Sequence, residues 1–296
     1  MQGAGVCGPA AVPVLRWAAR PDRAHLPARE WLPPLITESA LAEGELHLLG
    51  RLTEASNATW LTRLGDPEAG PLVVYKPVRG ERPLWDFPDG TLAGRERAAY
   101  LVSELGGWHL VPPTILREGP AGLGMAQAWV GDVDDAAESV VHVIRVGSDP
   151  RGLRPVLRAS DDTGAPLLVA HEEASDVRTL ALLDCVLNNT DRKGAHAFRH
   201  AGRLYAVDHG VTFHAEPKLR TVLWGWRGEA MAGDEIEQLR GLREQVIGDD
   251  PRAEEVRSHL TAREMRALLG RIDDLLRGGR FPEPDGEWPA IPWPPI

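Results

Sequence analysis

Apolar residues in the first 130 positions fall in short β-rich runs, and turns rich in Gly, Pro and small polar residues separate them. One segment between these runs places apolar residues three and four positions apart, which is the spacing of a helix face. Gly106 and Gly107 follow it and can end the helix. The pattern predicts strands at 45–49, 58–64, 71–75, 111–116 and 124–130, and a helix at 93–105.

The remaining residues have a mainly helical pattern. The spacing predicts a helix from Ser175 to Leu187, with Ser175 as its N-cap, and two strands on either side of Gly202. It further predicts helices at 233–246 and 261–276. Residues 132–146 are expected to be helical toward their end, and residues 148–166 to be rich in turns.

The order of these elements predicts an α+β fold of two lobes. A β-rich N-lobe with one helix (41–130) precedes a larger helical C-lobe with one hairpin (131–280). Residues 1–40 are expected to be an irregular extension, and residues 281–296 a tail rich in Pro and Trp. A doubly wound sheet is excluded because it requires regular alternation of strands and helices.

Composition narrows the class of protein. The chain of 296 residues is 43% hydrophobic, enough for a substantial core, but no apolar run approaches the ~20 residues that a membrane span needs. A net charge of -10 argues against general affinity for nucleic acid or anionic membranes. The two cysteines, Cys7 and Cys185, form neither a disulfide framework nor a zinc motif, so a reducing cytoplasm is the expected location.

Two acidic residues carry the chemistry. Asp191 lies in an Asn-Thr-Asp-Arg segment, and Asp208 follows after an apolar run and heads Asp-His-Gly. Two carboxylates on loops around a short hairpin suit phosphoryl transfer, because one can orient the attacking hydroxyl while the other holds the metal on the nucleotide phosphates.

These motifs resemble the phosphatidylinositol 3-/4-kinase-like branch of the protein-kinase superfamily, especially type II phosphatidylinositol 4-kinases and HipA-type bacterial serine kinases. More narrowly, they are similar to an actinobacterial family within that branch, whose motifs are NNxDRKGxH, DHGxxFH and KLRTVLWGW. They stand here at 188–196, 208–214 and 218–226. The resemblance covers roughly residues 41 to 280.

The resemblance implies an ATP-binding cleft. Lys76, at the end of a β-rich run, would contact the α- and β-phosphates, and an acidic partner would hold it forward. Glu96 on the following helix is the favoured partner, with Glu81 as the competitor. The hydroxyl of Ser56 could touch phosphate, although an ordinary hairpin turn fits that segment equally well. The strand around Gln127 and Trp129 would bind adenine through its backbone.

In the catalytic loop, Asp191 would align the acceptor hydroxyl, and Lys193 would help to neutralise the γ-phosphate. Arg192 would pair with Asp191, Asp208 or a phosphate. Asp208 would bind magnesium. His196 stands where kinases usually place a second, asparagine metal ligand, so it binds Mn²⁺, or one metal suffices, or another group substitutes.

The sequence therefore predicts an ATP-dependent phosphotransferase that uses Mg²⁺, with Mn²⁺ as the alternative metal, and acts on a hydroxyl of a protein, lipid or small molecule. The acidic chain makes a protein or small molecule the favoured acceptor. Two alternatives stay open: a degenerate nucleotide-binding pseudokinase that regulates a partner, and nucleotidyl transfer on the same fold. The Lys218–Trp226 segment is either an acceptor platform or a Trp-anchored core turn.

Overall fold

The first lobe is built on one β-sheet. The computed structural model describes residues 14–15, 36–52, 57–131, 137–284, 286 and 288–296. Its strands are β1 (Val14–Leu15), β2 (Leu46–Leu52), β3 (Thr59–Leu64), β4 (Leu72–Pro77), β5 (Thr114–Gly119) and β6 (Gly122–Ala128). They lie in the order β1-β2-β3-β4-β6-β5; β1 pairs in parallel with β2, and all other neighbours are antiparallel.

Two helices pack on this sheet, α1 (Glu38–Glu43) and α2 (Leu92–Leu105). Thr91 caps α2 by accepting from the Gly94 amide at 2.9 Å, and Gly106 ends the helix. Most of α2 is buried because it lies between the sheet and the second lobe. Arg97 reaches across to Glu255 through two hydrogen bonds of 2.8 and 2.7 Å, which fixes the helix against the other lobe.

The second lobe surrounds helix α3 (Ser175–Leu187), whose apolar residues lie in the main hydrophobic core. Asn188 ends α3 in the left-handed conformation (φ 51°) and begins the loop that contains Asp191. The other elements are β7 (Glu138–Ser139), β8 (Val141–Arg145), β9 (Leu153–Ser160), β10 (Pro166–Glu172), β11 (Ala197–His200), β12 (Arg203–Ala206), α4 (Gly233–Ile247), α5 (Pro251–His259) and α6 (Ala262–Gly278).

The predicted α+β fold of two lobes is confirmed, and the strands and helix predicted within 45–130 all form. One prediction is wrong: residues 138–146 contain strands β7 and β8 and no helix. The run from Val140 to Val146 is rich in β-branched residues, which favour strands. Strands β8, β10 and β9 form a separate antiparallel sheet, so the region predicted to be turn-rich, 148–166, also contains strand structure.

Both ends of the chain contain described structure. Helix α1 spans the boundary predicted between residues 40 and 41, so part of the predicted extension is helical. The C-terminal tail (288–296) packs on the second lobe: the Gly194 amide donates to the Pro295 carbonyl at 2.8 Å, and the Thr221 amide donates to the Ala290 carbonyl at 3.1 Å. Among the described residues, no helix combines the length and the apolar character needed to cross a membrane.

Candidate active site

Three side chains from distant parts of the chain meet where the two lobes face each other. Lys76, near the end of β4, places its Nζ 2.6 Å from Glu96 Oε1 on α2 and 2.9 Å from Asp208 Oδ1. Glu96 is 2% exposed, whereas the Asp208 side chain is 48% exposed. The cluster therefore has a buried acidic side that orients the lysine and an open acidic side that a ligand can reach.

Charge decides the protonation of this cluster. Burial lowers the pKa of Lys76, but the attraction of Asp208 and Glu96 outweighs burial and raises the pKa of the ammonium group. The Lys76 ammonium in turn lowers the pKa of Asp208 well below its ordinary value, against the opposing effect of burial. Burial raises the pKa of Glu96, against the attraction of Lys76. Lys76 is therefore charged and Asp208 ionised at neutral pH.

Glu96 and not Glu81 is the partner of Lys76. The second oxygen of Glu96 accepts from the His209 amide at 2.9 Å, so one carboxylate holds both the lysine and the Asp-His-Gly segment. Glu81 lies at the start of α2, where its oxygens accept from the amides of Leu92 and Ala93 at 2.9 and 2.8 Å. A carboxylate suits that place because the first amides of a helix have no partner within the helix.

The open side of the cluster can hold a divalent cation. Asp208 Oδ2 lies 3.4 Å from His196 Nε2, and burial lowers the pKa of His196, which keeps its ring neutral and able to bind metal. The described residues contain no group of three or more His, Cys, Asp or Glu side chains placed to hold an ion. An ion on Asp208 and His196 would take its other oxygen ligands from phosphates and water, which is how Mg²⁺ usually binds.

The backbone at Asp208 is in the left-handed region, with φ of 61°. Asp and Asn tolerate this conformation better than other residues with a side chain. Strained backbone of this kind concentrates at functional sites, and here it aims the carboxylate at Lys76 and His196.

Asp191 and Lys193 form a second pair beside this cluster, with Lys193 Nζ 2.8 Å from Asp191 Oδ2. Both side chains are partly exposed, and both act on the pKa of His196, Asp191 raising it and Lys193 lowering it. The Asp191 amide donates to Asn189 Oδ1 at 3.0 Å, which fixes the loop. The structure thus places the charged pair of Asp191 and Lys193 near the neutral ring of His196.

Arg192 points away from this group. It is fully buried and pairs with Asp184 on α3 through Nη2 at 3.0 Å, and its Nη1 donates to the carbonyls of His196 and Val207 at 3.1 and 3.0 Å. The prediction that Arg192 pairs with Asp191, Asp208 or a phosphate is wrong. Burying a guanidinium without a close carboxylate is costly, and Asp184 supplies that carboxylate.

Asp184 is a buried residue next to the site that the sequence did not reveal. It is fully buried, and besides Arg192 it accepts from Asn189 Nδ2 at 3.0 Å and from Thr221 Oγ1 at 3.1 Å. Arg192 Nη2 also lies 2.6 Å from His209 Nε2. Because Arg192 can only donate, Nε2 of His209 accepts and the ring is neutral. This network connects the loop of Asp191 to the Asp-His-Gly segment.

The other predicted nucleotide contacts have different outcomes. Ser56 lies outside the described residues. Gln127 is buried in the sheet, with Nε2 donating to Thr114 Oγ1 at 2.8 Å. The half-buried Trp129 uses its amide in the sheet, donating to Leu72 at 3.0 Å. An adenine contact at these positions stays a prediction.

The Lys218–Trp226 segment is a buried turn. Trp224 and Trp226 are buried, and the Lys218 ammonium lies between two aromatic rings, 5.1 Å from the centre of Trp85 and 4.6 Å from that of Trp288. The described contacts are those of a Trp-anchored core turn, one of the two predicted alternatives.

No protein-family model matches the chain. Two solved structures are similar at low identity. The golgi casein kinase has a TM-score of 0.48 at 13% identity over 84% of this chain and 78% of its own. The Helicobacter pylori proinflammatory kinase CtkA has a TM-score of 0.41 at 10% identity over 83% of this chain and 95% of its own.

A sequence relative is much more similar. Protein Rv2133c of Mycobacterium tuberculosis is 46% identical over 264 residues, which cover 86% of this chain and 94% of the relative. The chain therefore belongs to the family of protein Rv2133c.

Proposed function

We propose that the protein is an ATP-dependent phosphotransferase that transfers the γ-phosphoryl group of ATP to a hydroxyl. The observation that carries the proposal is the meeting of Lys76, Glu96 and Asp208 within hydrogen-bond distance. A lysine held by a buried glutamate beside an exposed aspartate is an arrangement that can bind nucleotide phosphates and their metal. The motifs around Asp191 and Asp208 resemble those of the phosphatidylinositol 3-/4-kinase-like branch, and this resemblance also supports the proposal.

In the proposed reaction, the acceptor oxygen forms a bond to the γ-phosphorus while the bond from that phosphorus to the β–γ bridging oxygen breaks. Asp191 orients the acceptor hydroxyl and takes its proton, and ADP leaves. Lys193, beside Asp191, neutralises charge on the transferred group. Lys76 holds the α- and β-phosphates.

Mg²⁺ or Mn²⁺ on Asp208 would neutralise charge on the β- and γ-phosphates. His196 distinguishes this site, because an imidazole nitrogen is a better ligand for Mn²⁺ than for Mg²⁺. We therefore include Mn²⁺ as a cofactor of the proposed reaction. The acceptor belongs to the proposal as a hydroxyl of a protein or small molecule.

His196 stands where kinases usually place an asparagine metal ligand. This difference also supports a second candidate, a nucleotide-binding module that regulates a partner without turnover. Nucleotidyl transfer would use the same cleft with the nucleotide bound in a different orientation. Incubation with ATP and either Mg²⁺ or Mn²⁺, followed by nucleotide analysis and protein mass spectrometry, separates the three.

The expected products are ADP and, on any protein acceptor, the added mass of a phosphoryl group, and both are lost in Asp191→Asn. Release of pyrophosphate, together with the added mass of a nucleotidyl group on a protein acceptor, would instead indicate nucleotidyl transfer. A thermal shift with ATP but without any product would favour the binding module. If ATP caused no thermal shift and gave no product with either metal, nucleotide use would be refuted altogether.

A further inference from the structure

A cavity lies beside helix α3, and Cys185 of that helix is part of its lining. It has a volume of about 300 Å³ and opens between α3, α6, the turn after Glu216 and residues 280–284 and 288–290. Most of its wall is apolar, and its lining includes Leu219, Trp224, Leu275, Trp288 and Ala290. None of Lys76, Glu96, Asp191 and Asp208 lines it, so it is separate from the candidate active site.

One cation in the wall of this cavity is incompletely paired. Arg271 of α6 donates from Nε to the Val186 carbonyl at 3.0 Å and from Nη1 to the His214 carbonyl at 3.1 Å. Its Nη2 is buried and has no hydrogen-bond partner among the residues that the structure describes. A guanidinium carries five N–H donors, and these two hydrogen bonds use two of them, so Arg271 keeps N–H groups for a further acceptor.

No carboxylate of the described residues pairs with Arg271. Burial lowers the pKa of Arg271 to about 10, and Glu264, the acid that opposes this effect, already pairs with Arg95 at 2.5 Å. Two carboxylates of the lining, Asp274 and Glu283, are exposed, and Asp274 pairs with Arg277 at the surface. Buried charges in proteins are normally paired with a charge of opposite sign. Because no described carboxylate pairs with Arg271, its guanidinium lacks such a counter-ion.

We propose that this cavity binds a small, mostly apolar carboxylate, with its two oxygens on Arg271 and its apolar body against Trp224, Trp288 and Leu275. A planar carboxylate matches the fork of a guanidinium and can accept two parallel hydrogen bonds. A volume of about 300 Å³ lies at the lower end of the roughly 300–1,000 Å³ of small-molecule sites, which suits a small ligand. Inorganic phosphate could meet the charge but would leave the apolar wall uncovered.

The test compares sodium octanoate with 1-octanol, which has a similar chain and no charge, by calorimetric titration of the full chain. We expect octanoate to bind at least about tenfold more tightly, since a hydrogen bond to a charged group contributes more than a neutral one. In Arg271→Met this preference should disappear. It should persist in Arg266→Met, which removes an exposed arginine of the same helix outside the cavity lining.

A second variant keeps Arg271 in place. Ala290→Phe fills the cavity, and the backbone carbonyl of residue 290 can still accept from Trp224 Nε1. It should weaken the binding of octanoate and 1-octanol alike. If Arg271→Met does not fold, the octanoate preference of the wild type and its loss in Ala290→Phe decide the matter.

Several results would overturn the proposal. The first is that octanoate does not bind measurably, and the second is that octanoate and 1-octanol bind equally. The third is that Ala290→Phe binds octanoate as tightly as the wild type does. The fourth is that inorganic phosphate binds more tightly than octanoate. The test does not use phosphoryl transfer, so its failure leaves the proposed function untouched, and failure of the proposed function leaves this site untouched.

Discussion

Lys76 Nζ lies 2.9 Å from Asp208 Oδ1 although 132 positions separate the two residues. Glu96 fixes this relationship by holding the lysine with one oxygen and the His209 amide with the other. Because Glu96 is buried and Asp208 is half-exposed, the lysine is oriented from inside and a ligand can approach the aspartate from outside. This asymmetry is what a site for metal-bound phosphates needs.

Replacing Asp191 should separate chemistry from binding. In Asp191→Asn, we expect product formation to fall by about 10²–10⁴-fold, because a positioned carboxylate no longer takes the hydroxyl proton. Nucleotide affinity should change little, since Lys76 and Asp208 stay in place. Steady-state ADP formation and calorimetric ATP binding measure the two effects.

Asp149→Asn is a matched control for that variant, because Asp149 is an exposed loop aspartate that pairs only with its near neighbour Arg151 among the described residues. It should leave both measurements unchanged. Turnover close to that of the wild type in Asp191→Asn would remove Asp191 from the proposed reaction.

His196 should set the metal preference. We expect the wild type to be more active with Mn²⁺ than with Mg²⁺, and His196→Asn to raise the ratio of Mg²⁺-dependent to Mn²⁺-dependent activity, because an amide oxygen suits Mg²⁺ better than an imidazole nitrogen does. Metal titrations at fixed ATP measure the ratio, and His200→Asn on β11 is the control. The same ratio in wild type and His196→Asn would mean that His196 does not touch the metal.

The pair of Arg192 and Asp184 should be a large contributor to stability. Arg192→Met leaves the fully buried Asp184 without its cation, so we expect the free energy of unfolding to fall by roughly 3–5 kcal/mol. Arg240→Met removes a surface cation that pairs with Glu237, and it should change stability by less than about 1 kcal/mol. Urea unfolding followed by fluorescence measures both, and equal, small effects would contradict a structural role for the buried pair.

His171 should make the protein less stable in mild acid. Burial lowers the pKa of His171 to about 4 in the folded chain, whereas the unfolded chain keeps the ordinary value near 6.5. The unfolded state therefore binds more protons between these two values, and stability falls as the pH falls through that range. The contribution of His171 between pH 7 and pH 5 is about 2 kcal/mol.

The measurement for His171 is urea unfolding at pH 7 and pH 5 in the wild type and in His171→Gln. His171 Nε2 accepts from the Gly225 amide at 3.0 Å, and protonation would remove that acceptor. The glutamine variant should lose less stability on acidification than the wild type does. An identical loss in both proteins would show that other groups cause the pH dependence.

Sequence patterns revealed the parts of the site that have local signatures. Lys76 ends a β-rich run, Glu96 lies on a helix with clear spacing, and Asp191 and Asp208 lie in short motifs. The fold class followed from the order of strands and helices. These features depend on neighbours in the chain, which a sequence displays directly.

The features that escaped prediction depend on contacts between distant residues. Asp184 lies within an apolar helix pattern. Nothing in the neighbouring sequence predicts that Arg192, Asn189 and Thr221 all donate hydrogen bonds to it. Strands β8 to β10 are joined by turn-rich segments, and the mixed acidic and apolar pattern of residues 132–146 predicts a helix end where β8 forms. Helix α5 is short and strongly charged, so its apolar spacing is weak.

The measurement that tests the central claim most directly is calorimetric titration of a non-hydrolysable ATP analogue, with and without Mn²⁺ or Mg²⁺, into wild type and Asp208→Asn. Asn tolerates the left-handed backbone at this position, so the variant removes the charge and keeps the conformation. We predict metal-dependent binding to the wild type, and at least about tenfold weaker metal-dependent binding to the variant. Equal affinity in both proteins, or binding that ignores the metal, would contradict the assignment of Lys76, Glu96 and Asp208 to a metal-nucleotide site.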